Sequence, residues 1–123
     1  MVRANTRALG DNAEQFAFGF LKNKGLRPVT RNYRCRHGEV DLIMLDGDCL
    51  VFIEVRYRSG RSFAKAVLTV DDHKQRKLAR AAEMFLATRR RYSGTSARFD
   101  VVGVDRDAEG HTTVEWLRDA FSL

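Results

Sequence analysis

The chain has 123 residues, 44% hydrophobic and 31% charged, with a single Pro, a balance that predicts one globular domain spanning residues 1–123. A net charge of +6 and a pI of about 9.8 favour a polyanionic partner such as nucleic acid. No apolar run approaches the roughly 20 residues that cross a bilayer. The opening MVRANTRALGDNAEQ lacks an apolar signal-peptide core, so a cytoplasmic protein without a membrane partner is expected. Cys35 and Cys49 are too few for a disulfide scaffold and read as reduced thiols.

Residues 1–9 read as a loose basic arm with Arg3 and Arg7. A helix is expected from Asn12 to Lys24, with Asp11 as N-cap and Gly25 just past its end. Ala13, Phe16, Ala17, Phe20 and Leu21 form its apolar stripe. Glu14 sits at the edge of that stripe, about 100° round from Ala13. It either points along a sheet or is solvated. Leu26–Arg34 reads as a strand that Pro28 confines to a sheet edge. Arg31, Arg34 and Arg36 make this region basic, and Tyr33 among them is a candidate stacking group for bases. The plainer reading is a charged edge that resists strand addition.

Gly38 to Arg58, GEVDLIMLDGDCLVFIEVRYR, reads as a β-hairpin. Two apolar-rich runs, Glu39–Leu45 and Leu50–Tyr57, flank Asp46-Gly47-Asp48. Strand alternation places Glu39, Asp41, Ile43 and Leu45 on one face, and Leu50, Phe52, Glu54 and Arg56 on the matching one. If Gly47-Asp48 is the loop, Asp41 lies opposite Glu54 and Glu39 opposite Arg56. If Asp46-Gly47 is the loop, Asp41 faces Phe52 and Glu54 is its diagonal neighbour. Both registers leave the two carboxylates on one face. At about 5 Å they repel by roughly 3 kcal/mol for an effective dielectric near 20. Arg56 or a divalent metal such as Mg²⁺ could relieve this, and the spacing alone leaves both open.

Arg58-Ser59-Gly60-Arg61 is a turn, and Phe63–Val70 a short helical or irregular connection. Thr69 is the expected N-cap of a second long helix, with Asp72 three residues on. That helix runs to Thr88 on a stripe of Leu78, Ala81, Ala82, Phe85 and Leu86. Backwards, the stripe turns polar at Asp71, Lys74 and Gln75. Lys74 or Gln75 could reach a bound phosphate or water there; the alternative is an ordinary frayed helix end. Ser93–Ser96 is a loop, Ala97–Asp105 a buried strand, Asp107–Gly110 a turn and Thr112–Leu117 a final strand. Asp100 shares the parity of Val102 and Val104 and is a candidate to support the site from behind. The order helix, three strands, helix, strands predicts an α/β fold with a mixed sheet and two long helices packed on it. His37, His73 and His111 are too scattered for a nucleophilic triad, and no phosphate-binding G-x-x-x-x-G-K-[ST] loop occurs.

GEVDLI followed by LVFIEVRYR resembles the YraN-like family of small endonuclease-related proteins. The flanking AEQFAFGFL, RNYRCRHGEVDLI, HKQRKL and ARFDVVGV extend the resemblance from Gly10 to Val104. It implies a restriction-endonuclease-like αβββαβ core of the PD-(D/E)XK superfamily and metal-dependent hydrolysis of phosphodiester bonds in nucleic acid, DNA first. Asp41 matches the metal-binding Asp, and Glu54-Val55-Arg56 matches E-x-K, with Arg56 departing from the Lys. The implied metal, Mg²⁺ or Mn²⁺, is held by Asp41 and Glu54, with Glu14 as a further ligand. Arg56 and Gln75 complete the expected catalytic set, and Arg34, Arg36, Arg58 and Lys74 are the expected nucleic-acid contacts. Arg56 keeps the positive charge but stays protonated at working pH, so it cannot readily act as a general base. The alternative expectation is a non-catalytic nucleic-acid-binding module on the same fold. A third is a scaffold binding a protein through its basic surface.

Overall fold

The computed structural model describes residues 6–122, with side chains from residue 12 onward. The first five residues of the basic arm and the capping role of Asp11 lie outside the described residues. Helix α1 spans Thr6–Asn23, starting before the expected Asn12. Thr6-Arg7-Ala8-Leu9 offers no breaker, and Gly10 costs a helix only about 1 kcal/mol. Four strands follow the expected plan: β1 (Arg27–Cys35), β2 (Gly38–Asp46), β3 (Cys49–Tyr57) and β4 (Ala97–Arg106). The fifth, β5 (Thr112–Phe121), runs past the expected Leu117.

Between β3 and β4 lie α2 (Phe63–Leu68) and α3 (Asp72–Thr88). Ser62 caps α2 by accepting from the Lys65 N–H. Thr69 ends that helix, and Asp71 caps α3 by accepting from the Lys74 N–H at 2.9 Å. The cap expected at Thr69 thus falls two residues later. Thr69 turns its hydroxyl back to the Ala66 carbonyl at 2.6 Å, leaving Asp71 to satisfy the open helix end. A short 3-10 turn, Arg90–Tyr92, occupies part of the arginine run after α3.

The five strands lie in the order β1-β2-β3-β4-β5. β3 and β4 are parallel, and the other neighbours are antiparallel. A parallel pair needs a long crossover, which α2 and α3 provide. Helix α1 packs on one face through Ala13, Ala17 and Leu21 against Leu42, Ile53 and Val102. Helices α2 and α3 cover the other, where Leu78, Ala82 and Phe85 meet Ile43, Phe52 and Val101. Phe85 anchors this second layer, with edge contacts to Tyr33 at 5.3 Å and Phe52 at 6.0 Å between ring centroids. Tyr33 is thus partly buried, held against the core by this edge contact.

Both outer strands are irregular. On β1 the register shifts between Pro28 and Thr30, and Asn32 has a left-handed φ of 53°. Opposite β5 it shifts between Phe99 and Val101, and Asp119 has φ 51°. Gly103 in β4 is needed for close packing: a Cβ there would lie 2.6 Å from Phe63 Cδ1 and 3.3 Å from Arg58 Cδ. Gly103→Ala is expected to push Phe63 off the sheet and to cost about 1–3 kcal/mol, read as a fall in the urea midpoint.

Candidate active site

The site is built where the sheet forks. The β2–β3 ladder runs from Asp46↔Cys49 to Leu42↔Ile53 and stops. Strand β2 nevertheless stays with β1 as far as Cys35↔Gly38. Asp46↔Cys49 leaves Gly47-Asp48 as the two-residue loop, and Gly47 supplies the positive φ of 59°. Asp41 belongs to neither ladder: β1 pairs with β2 at Arg31↔Leu42 and next at Tyr33↔Val40. The left-handed Asn32 occupies this gap. The strict alternation expected along β2 therefore breaks. Val40 joins the α3-side core together with Ile43, while Leu42 and Met44 join the α1 side. Glu39 turns outward and pairs with Arg34 at 3.2 Å instead of facing Arg56.

Beyond the end of the ladder, the Val55 N–H donates to Asp41 Oδ2 at 2.8 Å. A side-chain oxygen replaces a strand carbonyl and fixes Asp41 beside β3. Glu54 follows Phe52 on the α3 side and is only 5% exposed. Lys74 Nζ of α3 lies 3.7 Å from its Oε2, and Arg56 Nε lies 4.0 Å from its Oε1. Both are ion pairs beyond hydrogen-bond reach. Glu54 Oε2 and Arg56 Nε are buried with no hydrogen-bond partner from the protein. Burial, reinforced by the Asp41 charge, pushes the Glu54 carboxyl up to about 8, against the opposing pull of Lys74 and Arg56.

Asp41, Glu54, Arg56 and Lys74 thus converge. Of the other sequence candidates, Gln75 and Arg58 are engaged with partners of their own. Gln75 is half-buried and donates to the Val70 carbonyl at 3.0 Å, holding the α2–α3 turn. Arg58 forms an ion pair with Glu115 of β5 at 3.1 Å and donates to the Arg61 carbonyl, so it ties strand ends together. Arg34 and Arg36 are exposed around the β1–β2 turn. Glu14 stands half-buried on α1, in the layer across the sheet from Lys74.

Asp100 is fully buried but does not support the site. It faces the α1 layer and accepts from Arg98 Nε at 3.0 Å, Trp116 Nε1 at 2.8 Å and the Asp119 N–H at 2.9 Å. Burial alone would ease the proton off Arg98, but hydrogen bonds to Asp100 and Asp46 outweigh it and raise the guanidinium pKa. The sequence reading missed this lock between β4 and β5. Its signal was an Arg two residues before an Asp inside an apolar strand. Asp107, Glu109 and His111 also cluster on the exposed β4–β5 turn, where Asp107 accepts from the Glu109 and His111 backbone N–H groups. Asp107 there does the ordinary work of a turn Asp.

No helix among the described residues is long and apolar enough to cross a membrane. A solved structure, Pyrococcus furiosus SfsA in complex with Ca²⁺, matches with a TM-score of 0.40 and 12% identity, over 93% of this chain and 64% of that one. The sequence relatives are much nearer. A UPF0102 protein of Pseudomonas fluorescens is 40% identical over 98% of both chains. One of Alcanivorax borkumensis is 44% identical over 91% of this chain and 90% of its own. The profile described as "Uncharacterised protein family UPF0102" matches residues 13–104. That match takes in the whole fork, from α1 through β2 and β3 to β4, and the chain belongs to the UPF0102 family.

Proposed function

We propose that the protein is a metal-dependent phosphodiesterase acting on nucleic acid, on a restriction-endonuclease-like core of the PD-(D/E)XK superfamily. One observation carries this reading. Asp41 and Glu54 are held together at the fork, close enough to share a proton, and Glu54 Oε2 is buried without a donor from the rest of the protein. A buried acceptor left unsatisfied costs about 1–3 kcal/mol, more when charged. A cation or a proton removes that cost. Two adjacent hard oxygen donors suit Mg²⁺ or Mn²⁺, so the residues present fit the ion. When bound, it supplies positive charge and lowers the pKa of a water.

The chain's own residues do the rest. The Val55 N–H fixes Asp41, and the α3 layer excludes water from Glu54. Arg56 and Lys74 hold positive charge beside the pair, where a phosphodiester's charge has to be neutralised. The remaining arginines, together with the net charge of +6, suit a strand bound with little sequence preference. Such affinity should fall steeply with salt, because phosphate contacts release counterions.

Arg56 favours a second reading, a nucleic-acid-binding module that does not cut, because a guanidinium does not take up a proton from water. Nicking of supercoiled plasmid in Mg²⁺ or Mn²⁺ separates the two. The expected result is metal-dependent nicking, reduced about 10²-fold or more by Asp41→Ala and increased by Arg56→Lys. If wild type and Arg56→Lys both fail to nick while salt-sensitive binding persists, the binding module is the function.

A further inference from the structure

Beside the carboxylate pair lies a groove of about 340 Å³ between the β1–β2 turn and α3, whose walls include Arg34, Gly38, Glu39, Lys74 and Lys77. Three cations face one carboxylate there. That carboxylate, Glu39, is engaged with Arg34 in an exposed pair, an arrangement worth little and easily rearranged. Lys74 and Lys77 are three residues apart on α3 and so emerge on neighbouring positions of one side. Gly38 has φ +149°, and a Cβ on it would lie 3.5 Å from Lys77 Cβ. The turn therefore comes close to the helix, and backbone rather than a side chain forms that wall.

Lys74 belongs to both places. It lines the groove, and its Nζ stands 3.7 Å from the unpartnered Oε2 of Glu54. Its ion pair with Glu54 lacks hydrogen-bond geometry, so little holds it beyond charge. A divalent cation on Asp41 and Glu54 would cancel that attraction and repel the ammonium.

We propose that this groove binds the phosphodiester backbone of the strand adjoining the carboxylate pair, and that Lys74 is shared between the two. Without metal, Lys74 stays against the carboxylate pair; with metal, it turns to a backbone phosphate beside Lys77 and Arg34. This rests on the reading of Asp41 and Glu54 as a metal pair. It makes metal and strand binding mutually reinforcing, because linkage is reciprocal.

The test measures anisotropy of a short labelled oligonucleotide at constant ionic strength, in EDTA and in Mg²⁺, with probe length checked afterwards. Calorimetry measures Mg²⁺ binding to the protein alone. Lys77→Met should weaken oligonucleotide binding about 3- to 10-fold in both conditions, as loss of one phosphate contact does at low salt. Lys74→Met should weaken it several-fold in Mg²⁺ and far less in EDTA. It should also bind Mg²⁺ more tightly than wild type, since a competing cation is gone. Lys74→Gln should repeat the pattern, and unchanged melting temperatures would show both variants folded. No effect of Lys77→Met overturns the groove. Equal weakening by Lys74→Met with and without Mg²⁺, or Mg²⁺ affinity that fails to rise, overturns the shared lysine. Wild type that binds no Mg²⁺ defeats the metal pair itself and this inference with it, a failure visible before any variant is made.

Discussion

Asp100→Ala is expected to destabilise the fold by about 3–5 kcal/mol, the cost of removing one partner from a buried charged pair. Asp100 is fully buried, yet its oxygens are satisfied by Arg98, Trp116 Nε1 and the Asp119 N–H. Truncation leaves the indole and the Asp119 amide without an acceptor, and Arg98 with only Asp46 at 2.9 Å. A urea titration followed by Trp116 fluorescence should show a lower midpoint at unchanged slope. Asp100→Asn, which keeps one acceptor, should fall in between. A midpoint equal to wild type would refute the lock between β4 and β5.

Glu54→Gln is expected to act in the opposite direction at high pH. The carboxyl rises from an ordinary value of 4.5 to about 8 in the folded protein, through burial first and the Asp41 charge second. Below 4.5, folded and unfolded chains both hold the proton and no penalty arises. As pH rises through the window up to about 8, the folded chain retains a proton that the unfolded chain releases, so stability declines. Above the window both are ionised and the penalty is complete, of the order of a few kcal/mol for a shift this large. Melting temperatures in EDTA should therefore decline from pH 5 to pH 9 more in wild type than in Glu54→Gln, roughly as this linkage requires. Mg²⁺, which favours the ionised carboxylate, should restore more stability to wild type at the alkaline end than at the acid end. Parallel pH profiles for the two proteins would sink this account.

The carboxylate pair at the fork shows what sequence reading reaches. The register of β2 on β3 was narrowed to two, with Gly47-Asp48 or Asp46-Gly47 as the loop, and both place Asp41 with Glu54 on one face; the structure takes the first. The fork was not legible, because it depends on β2 remaining paired to β1 past the residue where β3 departs. That is a competition between two adjoining hairpin ladders around Asn32, which strand parity alone does not resolve. The same break turned Glu39 outward, against simple alternation. Lys74 could be assigned to the sheet side of α3 from helical spacing, but its distance to Glu54 depends on where the helix sits. The N-cap went to Asp71 rather than Thr69 because α2 claimed Thr69 for its own end, and a six-residue helix leaves little periodic signal. Asp100 was misjudged because a polar residue in an apolar strand looks functional until its partners, Arg98 and Trp116, are known.

The irregularities at the two rims of the sheet bear on how the protein avoids sticking to copies of itself. An intruding strand needs several consecutive backbone donors and acceptors presented along one line. β1 interrupts that line at Pro28, which has no N–H to offer, and again at the left-handed Asn32; β5 interrupts it at Asp119. Each break swings the next peptide units out of alignment, so a chain docking on β1 gains only a few bonds before losing register, and one docking on β5 cannot follow that strand past Asp119.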